Sequence, residues 1–160
     1  CFDLFHPGHI KMLEEAKTQC DYLITGLQVD PTIDRPEKNK PVQSVVERYI
    51  QLKSCKYVDE IVPYVTEQDL LDILTSFNIH KRIIGEEYRN LNFTGKEYCV
   101  ENDIEIYYNK RDHRFSSSAL RKQVYFIENF KDPTNKLPFH FLYLFESRNA
   151  NPLGAIDGTQ

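Results

Sequence analysis

Residues 1–9 read Cys-Phe-Asp-Leu-Phe-His-Pro-Gly-His, "CFDLFHPGH", and the continuation "IKMLEEAK" runs to Lys17. Apolar Ile10, Leu13 and Ala16 recur at helical spacing, so residues 8–19 are expected to form a helix. Pro7 and Gly8 stand at its start, between His6 and His9. A helix N-terminus presents unpaired N–H groups and a partial positive charge, which suits an anion. Two imidazoles at the same end add side-chain donors. His6 and His9 therefore read as a phosphate cradle, with Gly8 admitting a ligand to the backbone. The bland reading is a pair of surface histidines. A metal site is a third, but no further ligand stands at a useful spacing.

Working outward, helical and extended patterns alternate. "DYLITGLQV" (21–29) reads as a buried strand and 42–55 as a helix with Val45, Val46, Tyr49, Ile50 and Leu52 as its apolar positions. "DEIVPYV" (59–65) is a strand, 67–77 a helix, "KRIIGE" (81–86) a strand, 93–102 a weaker helix, "IEIYY" (104–108) a strand and 116–129 a helix. This alternation predicts an α/β fold, a Rossmann-like doubly wound parallel sheet with helices on both faces. Ligands of such sheets bind at the carboxyl ends of the strands. The chain starts at Cys1, inside what reads as a motif, and Met12 is its only methionine. A first strand is expected before Cys1. Residues 1–130 are read as one domain and 131–160 as a tail, in which "FHFLYLF" (139–145) is a possible extra strand able to fill a gap in the sheet.

The 160 residues carry a formal net charge of −4, which argues against a general nucleic-acid binder. The aromatic run 139–145 is too short to cross a bilayer. Four scattered cysteines show neither a C-x-x-C pair nor zinc spacing, and they read as reduced thiols of a cytoplasmic protein. Against the acidic whole, residues 110–122 hold Lys110, Arg111, Arg114, Arg121 and Lys122 with one acid, Asp112. Ser116 and Ser117 follow at a helix start, where hydroxyls and backbone N–H groups make a second anion site. Lys38 and Lys40 lie on the loop "DPTIDRPEKNKP" (30–41), which could close over a substrate.

Taken together, "FDLFHPGHIKMLEEAK", "LQVD", "KNKP…ER", "YVDEIVPY", "IIGEEY" and "RDHRFSSS" resemble, in order, the motifs of the cytidylyltransferase-like nucleotidyltransferases with their H-x-G-H signature. Within that family the glycerol-3-phosphate cytidylyltransferases look most similar. The resemblance runs from Cys1 to about residue 124. "DHRF" stands where the family has "TEGI". The resemblance implies attack by the phosphate of a small phosphorylated alcohol on the α-phosphorus of CTP, with release of pyrophosphate. His6, His9, Lys40 and Arg111 would be the catalytic residues. Phe2, Gly8, Gly85, Glu86, Arg111, Ser116 and Ser117 would bind the nucleotide, and Asp3, Asp30 and Lys40 the acceptor. Mg²⁺ is expected with the triphosphate, and a homodimer is expected. The alternatives are an ATP-dependent adenylyltransferase acting on a heptose-phosphate-like sugar phosphate, and a non-catalytic nucleotide-binding protein. A class I aminoacyl-tRNA synthetase fragment shares the H-x-G-H logic but would need a K-M-S-K-S-like loop, which the sequence lacks.

Overall fold

The computed structural model describes residues 1–110, 113 and 115–129. Arg111 and the 139–145 segment lie outside the described residues. The chain divides into two compact units, Cys1–Leu120 and Arg121–Gln160. In chain order the elements are α1 (Pro7–Lys17), β1 (Ile24–Gln28), α2 (Val45–Lys53), β2 (Glu60–Tyr64), α3 (Glu67–Ser76), β3 (Lys81–Gly85), α4 (Lys96–Glu101), β4 (Glu105–Asn109) and α5 (Ser117–Asn129). A single 3₁₀ turn, Glu86–Tyr88, follows β3. α5 begins in the first unit and ends in the second.

Both strand pairings are parallel, as the alternating pattern requires. β1 pairs with β2, Ile24 opposite Glu60 and Gln28 opposite Tyr64. β3 pairs with β4, Lys81 opposite Glu105 and Gly85 opposite Asn109. Among the described residues these are two separate two-stranded ladders, where the sequence pattern anticipates one continuous sheet. Side-chain packing links them: Ile83 of β3 touches the core cluster built on Leu13, Ala16, Leu23, Leu27 and Leu52. Leu27 and Leu52 are wholly buried, each worth about 1.5–3 kcal/mol of transfer free energy.

Local chemistry sets the boundaries. α2 starts at Val45, three residues later than the apolar pattern implies, because Ser44 and Glu47 form a reciprocal capping box. Thr66 and Asp69 do the same for α3. α4 ends with Asn102 as its cap and starts after Gly95, whose φ of +76° places it in the left-handed region. A Cβ there would also come within 2.6 Å of Leu74 and 2.8 Å of Arg82.

α2 is rotated from its expected orientation. The buried positions are Arg48 and Leu52, while Val46 and Ile50 are exposed, as is Val42 ahead of the helix. The rotation follows from Arg48. Its guanidinium donates to the carbonyls of Gln28 (2.7 Å) and Val29 (2.5 Å) at the end of β1, to Cys1 (2.9 Å), and through Nε to Gln43 (3.2 Å). A charge this deeply placed must have its donors satisfied, and these acceptors exist only on that side of the helix.

Candidate functional site

The site is built from the N-terminus of α1 and the carboxyl ends of β3 and β4. His6 caps α1, its Nδ1 accepting from the Gly8 N–H at 3.1 Å. That bond puts the proton of the neutral ring on Nε2, leaving Nε2 as the donor nitrogen. The His9 ring stacks on His6 with centroids 3.9 Å apart and planes 23° from parallel. It packs also against Phe5 at 5.6 Å and Phe2 at 5.3 Å. The His9 imidazole is thus held from behind by rings of the preceding loop, and His6 stacks on it. Phe2 and Leu4 themselves have φ of +52° and +50°, a conformation that costs a residue bearing a Cβ roughly 1–2 kcal/mol. This backbone strain sits in the segment that carries the H-x-G-H signature.

His6, Gly8 and His9 line a cleft of about 190 Å³ with Met12, Gly85, Glu87, Asn109, Lys110, His113 and Ser117. Gly8 lets the imidazoles of His113 and His6 approach the backbone closely. A Cβ there would come within 2.7 Å of His113 Cε1 and 2.9 Å of His6 Cε1. A side chain at Gly85 would collide with the Glu87 carboxylate.

The cleft therefore gathers His6, Gly8, His9, Gly85 and Ser117 from the residues the sequence singles out. Ser116 stands just behind, accepting from the Ala119 N–H at 3.1 Å as the cap of α5. Ser117 Oγ donates to the Asp3 carbonyl at 2.9 Å, tying the start of α5 to the signature loop. Phe2 packs on His9 and the core and does not line the cleft. Glu86 is exposed and faces Arg89 at 3.7 Å; its neighbour Glu87 takes the place at the cleft.

Asp3 is buried. One of its oxygens accepts from the Val42 and Gln43 N–H groups at 3.0 Å, the other from Val42 at 3.1 Å. It holds the segment after Lys40 and Pro41. Asp30 is bound to its own loop: Oδ1 accepts from the Thr32 hydroxyl at 2.7 Å and the Thr32 N–H at 2.9 Å. These bonds, with the positive charge of Lys40, hold the Asp30 carboxyl below the usual carboxylate range. Lys40 is exposed and does not line the cleft. Burial lowers the Arg48 pKa, and the charges of Asp3 and Asp30 oppose that shift.

Sequence reasoning noted Arg48 within "KNKP…ER" but gave it no role, and it gave none to Glu87, Asn109 or His113. For His113 a signal existed, since "DHRF" sits inside a motif already suspected of anion binding. For Asn109, the last residue of a strand that reads as apolar, no local pattern could have found it.

Residues 1–123 match the family described as cytidylyltransferase-like. The chain is 31% identical over 123 residues to a glycerol-3-phosphate cytidylyltransferase of Bacillus spizizenii, covering 77% of this chain and 91% of that protein. It is 42% identical over 74 residues to a probable ethanolamine-phosphate cytidylyltransferase of Encephalitozoon cuniculi, which covers 44% of this chain and 23% of that protein. It is 38% identical over 89 residues to the bifunctional protein HldE of a Caulobacter species, covering 55% of this chain and 18% of that protein. The chain thus spans nearly all of the first relative and under a quarter of the other two. The chain belongs to the cytidylyltransferase-like family of nucleotidyltransferases.

Proposed function

We propose that the chain transfers a cytidylyl group from CTP to a small phosphorylated alcohol of the glycerol 3-phosphate class and releases pyrophosphate. The observation that carries the reading is the His6–His9 pair, stacked at 3.9 Å on the open end of α1 and fixed by the Gly8 N–H. The end-to-end likeness to a glycerol-3-phosphate cytidylyltransferase supports the acceptor.

The acceptor phosphate is already an anion, so the reaction needs no general base. An oxygen of that phosphate attacks the α-phosphorus, a new P–O bond forms, and the bond to the bridging oxygen of pyrophosphate breaks. Catalysis is then positioning and stabilisation of charge. In this reading His6 and His9 donate to the phosphate oxygens, and the first turns of α1 and α5 supply backbone N–H groups and dipole. Lys40 reaches the α-phosphate and the acceptor when its loop closes. Arg111 and the Ser116–Ser117 corner hold the β- and γ-phosphates. Asp3 acts through the loop, by placing the chain on which Lys40 is mounted.

Mg²⁺ enters as a companion of the triphosphate. Among the described residues no group of three His, Cys, Asp or Glu side chains could cage a cation. Phosphate oxygens and water, with one or two side chains such as Glu87, would hold it, as suits a metal that dehydrates reluctantly. When bound it would neutralise charge on the phosphates.

Pyrophosphate release, with CTP or ATP offered against glycerol 3-phosphate, ethanolamine phosphate and a panel of sugar phosphates, tests the reading. CTP with glycerol 3-phosphate should give the highest kcat/KM. Release with ATP and a sugar phosphate alone, or none with any pair, would overturn it. The same preparation should sediment as a homodimer.

A further inference from the structure

β4 ends at Asn109, directly opposite Gly85 at the end of β3. Its side chain is 2% exposed. The amide nitrogen donates to the Met12 carbonyl of α1 at 2.8 Å. That bond orients the amide, because a carbonyl can only accept. The oxygen Oδ1 is therefore a fixed acceptor, and it is buried with no hydrogen-bond partner. Such atoms are rare in folded proteins, and each calls for an explanation.

The explanation lies in what surrounds it. Asn109 shares the cleft with His6, His9 and Ser117, the groups that would hold phosphates. Across the ladder Gly85 brings bare backbone to the same place. Met12 lies five residues into α1 from Pro7, roughly 7–8 Å along the axis at 1.5 Å per residue, which is about the distance separating the α-phosphate of a nucleotide from its base. At about 190 Å³ the cleft is smaller than the roughly 300–1,000 Å³ of small-molecule sites. Entry of a nucleotide must displace wall side chains, such as Glu87 on the 3₁₀ turn after β3 and His113 in the segment between β4 and α5. Their displacement would uncover Oδ1.

We propose that Asn109 reads the nucleobase: its Oδ1 accepts from an exocyclic amine, so the cleft selects cytosine or adenine over a base with a carbonyl at that position. The inference rests on the nucleotide-binding reading above and deepens it. A uracil or guanine in the same pose would set a carbonyl oxygen against Oδ1 and leave both acceptors buried and unpaired. Discrimination of about 10- to 100-fold follows from the cost of such a mismatch.

Titration calorimetry on the whole chain tests this without requiring turnover. The ligands are CTP, UTP and the triphosphate of 2-pyrimidinone riboside, which lacks the 4-amine. Wild-type protein should bind CTP about 10- to 100-fold more tightly than either of the others. In Asn109→Leu that ratio should collapse to within about threefold, a difference of less than 1 kcal/mol. Because the ratio is taken within one preparation, it does not depend on the amount folded. Asn109→Ala removes the acceptor without adding apolar bulk, and serves if the leucine variant does not fold. An unchanged ratio in either folded variant overturns the inference, as does wild-type binding of CTP and the pyrimidinone with equal affinity. Binding of no nucleoside triphosphate sinks both this inference and the proposed function. The predicted selectivity without pyrophosphate release from any acceptor sinks only the proposed function.

Discussion

Two corners of the first unit handle charge in opposite ways. At the first, Asp3 and Arg48 are buried, at 5% and 1% exposure, and their side-chain bonds fix three backbone segments around them, at Cys1, Gln28–Val29 and Val42–Gln43. At the second, the 30–41 loop, Lys38 and Lys40 are exposed and Asp30 bonds within its own turn, while Arg35 and Asp34 tie the middle of the loop to Gln28 and Glu67. The first corner is rigid because its polar atoms have been removed from water and must be satisfied. The second keeps Lys38 and Lys40 at the surface. The contrast separates groups that shape the site from groups that would move to meet a substrate. Mutation should therefore affect stability at the first corner and turnover at the second, with the histidine pair between them.

The largest expected break is at that boundary. His9→Ala should lower kcat by about 10²–10³-fold, the cost of one preorganised donor of about 2.7–4 kcal/mol. His6→Ala should do the same and also lose its cap on α1, worth about 1 kcal/mol. Steady-state kinetics beside a denaturant titration distinguishes the two; normal turnover in both variants would remove the cradle.

Asp3→Ala comes next, and it should act on folding. It strands the Val42 and Gln43 N–H groups, at about 1–3 kcal/mol for a buried unsatisfied donor. A lower urea midpoint with unchanged slope is the expected result. A wild-type midpoint would mean that the loop finds other partners.

Smaller again is Lys40→Ala, with an expected loss of about tenfold in kcat, some 1.4 kcal/mol, and no change in melting temperature. Lys38→Ala should change neither. Equal effects of the two variants would reduce both lysines to solubilising charges and erase the contrast.

The smallest effect concerns acid. Asp59 accepts from the Leu23 N–H and from Lys17 Nζ, each at 2.6 Å, and these bonds hold its carboxyl below the usual range. A depressed folded-state pKa gives stability that is present above the ordinary value of about 4 and is lost as pH falls through the lower folded value. Melting temperature followed from pH 6 to pH 3 should show a slightly steeper acid decline in wild type than in Asp59→Asn. Parallel curves would show that the pair contributes nothing measurable.

The element order was legible because helix and strand periods differ, whereas the start of α2 was placed three residues early because the apolar pattern does not register the Ser44–Glu47 capping box. The histidine end of α1 was legible, since Pro7 and Gly8 announce a helix start. The orientation of α2 was not. Its apolar pattern nominates Val46 and Ile50, yet both are exposed while Arg48 is buried. That choice depends on carbonyls of Gln28 and Val29, some twenty residues away, and no local pattern encodes a distant acceptor. Asn109 was hidden likewise: its donor role exists only once Met12 is beside it.

The Ser117–Asp3 bond has a consequence for the order of events as the chain folds. It joins positions 114 apart in sequence, whereas the capping boxes of α2 and α3 close over three residues. Contacts of such long range form after local ones, because the entropy of closing the chain must be met first. The signature loop and the start of α5 therefore meet late, after the helices and strands between them have assembled. A growing polypeptide cannot complete this corner until Ser117 has been synthesised, and amide exchange in the mature protein should open here before it opens at Leu27 or Leu52.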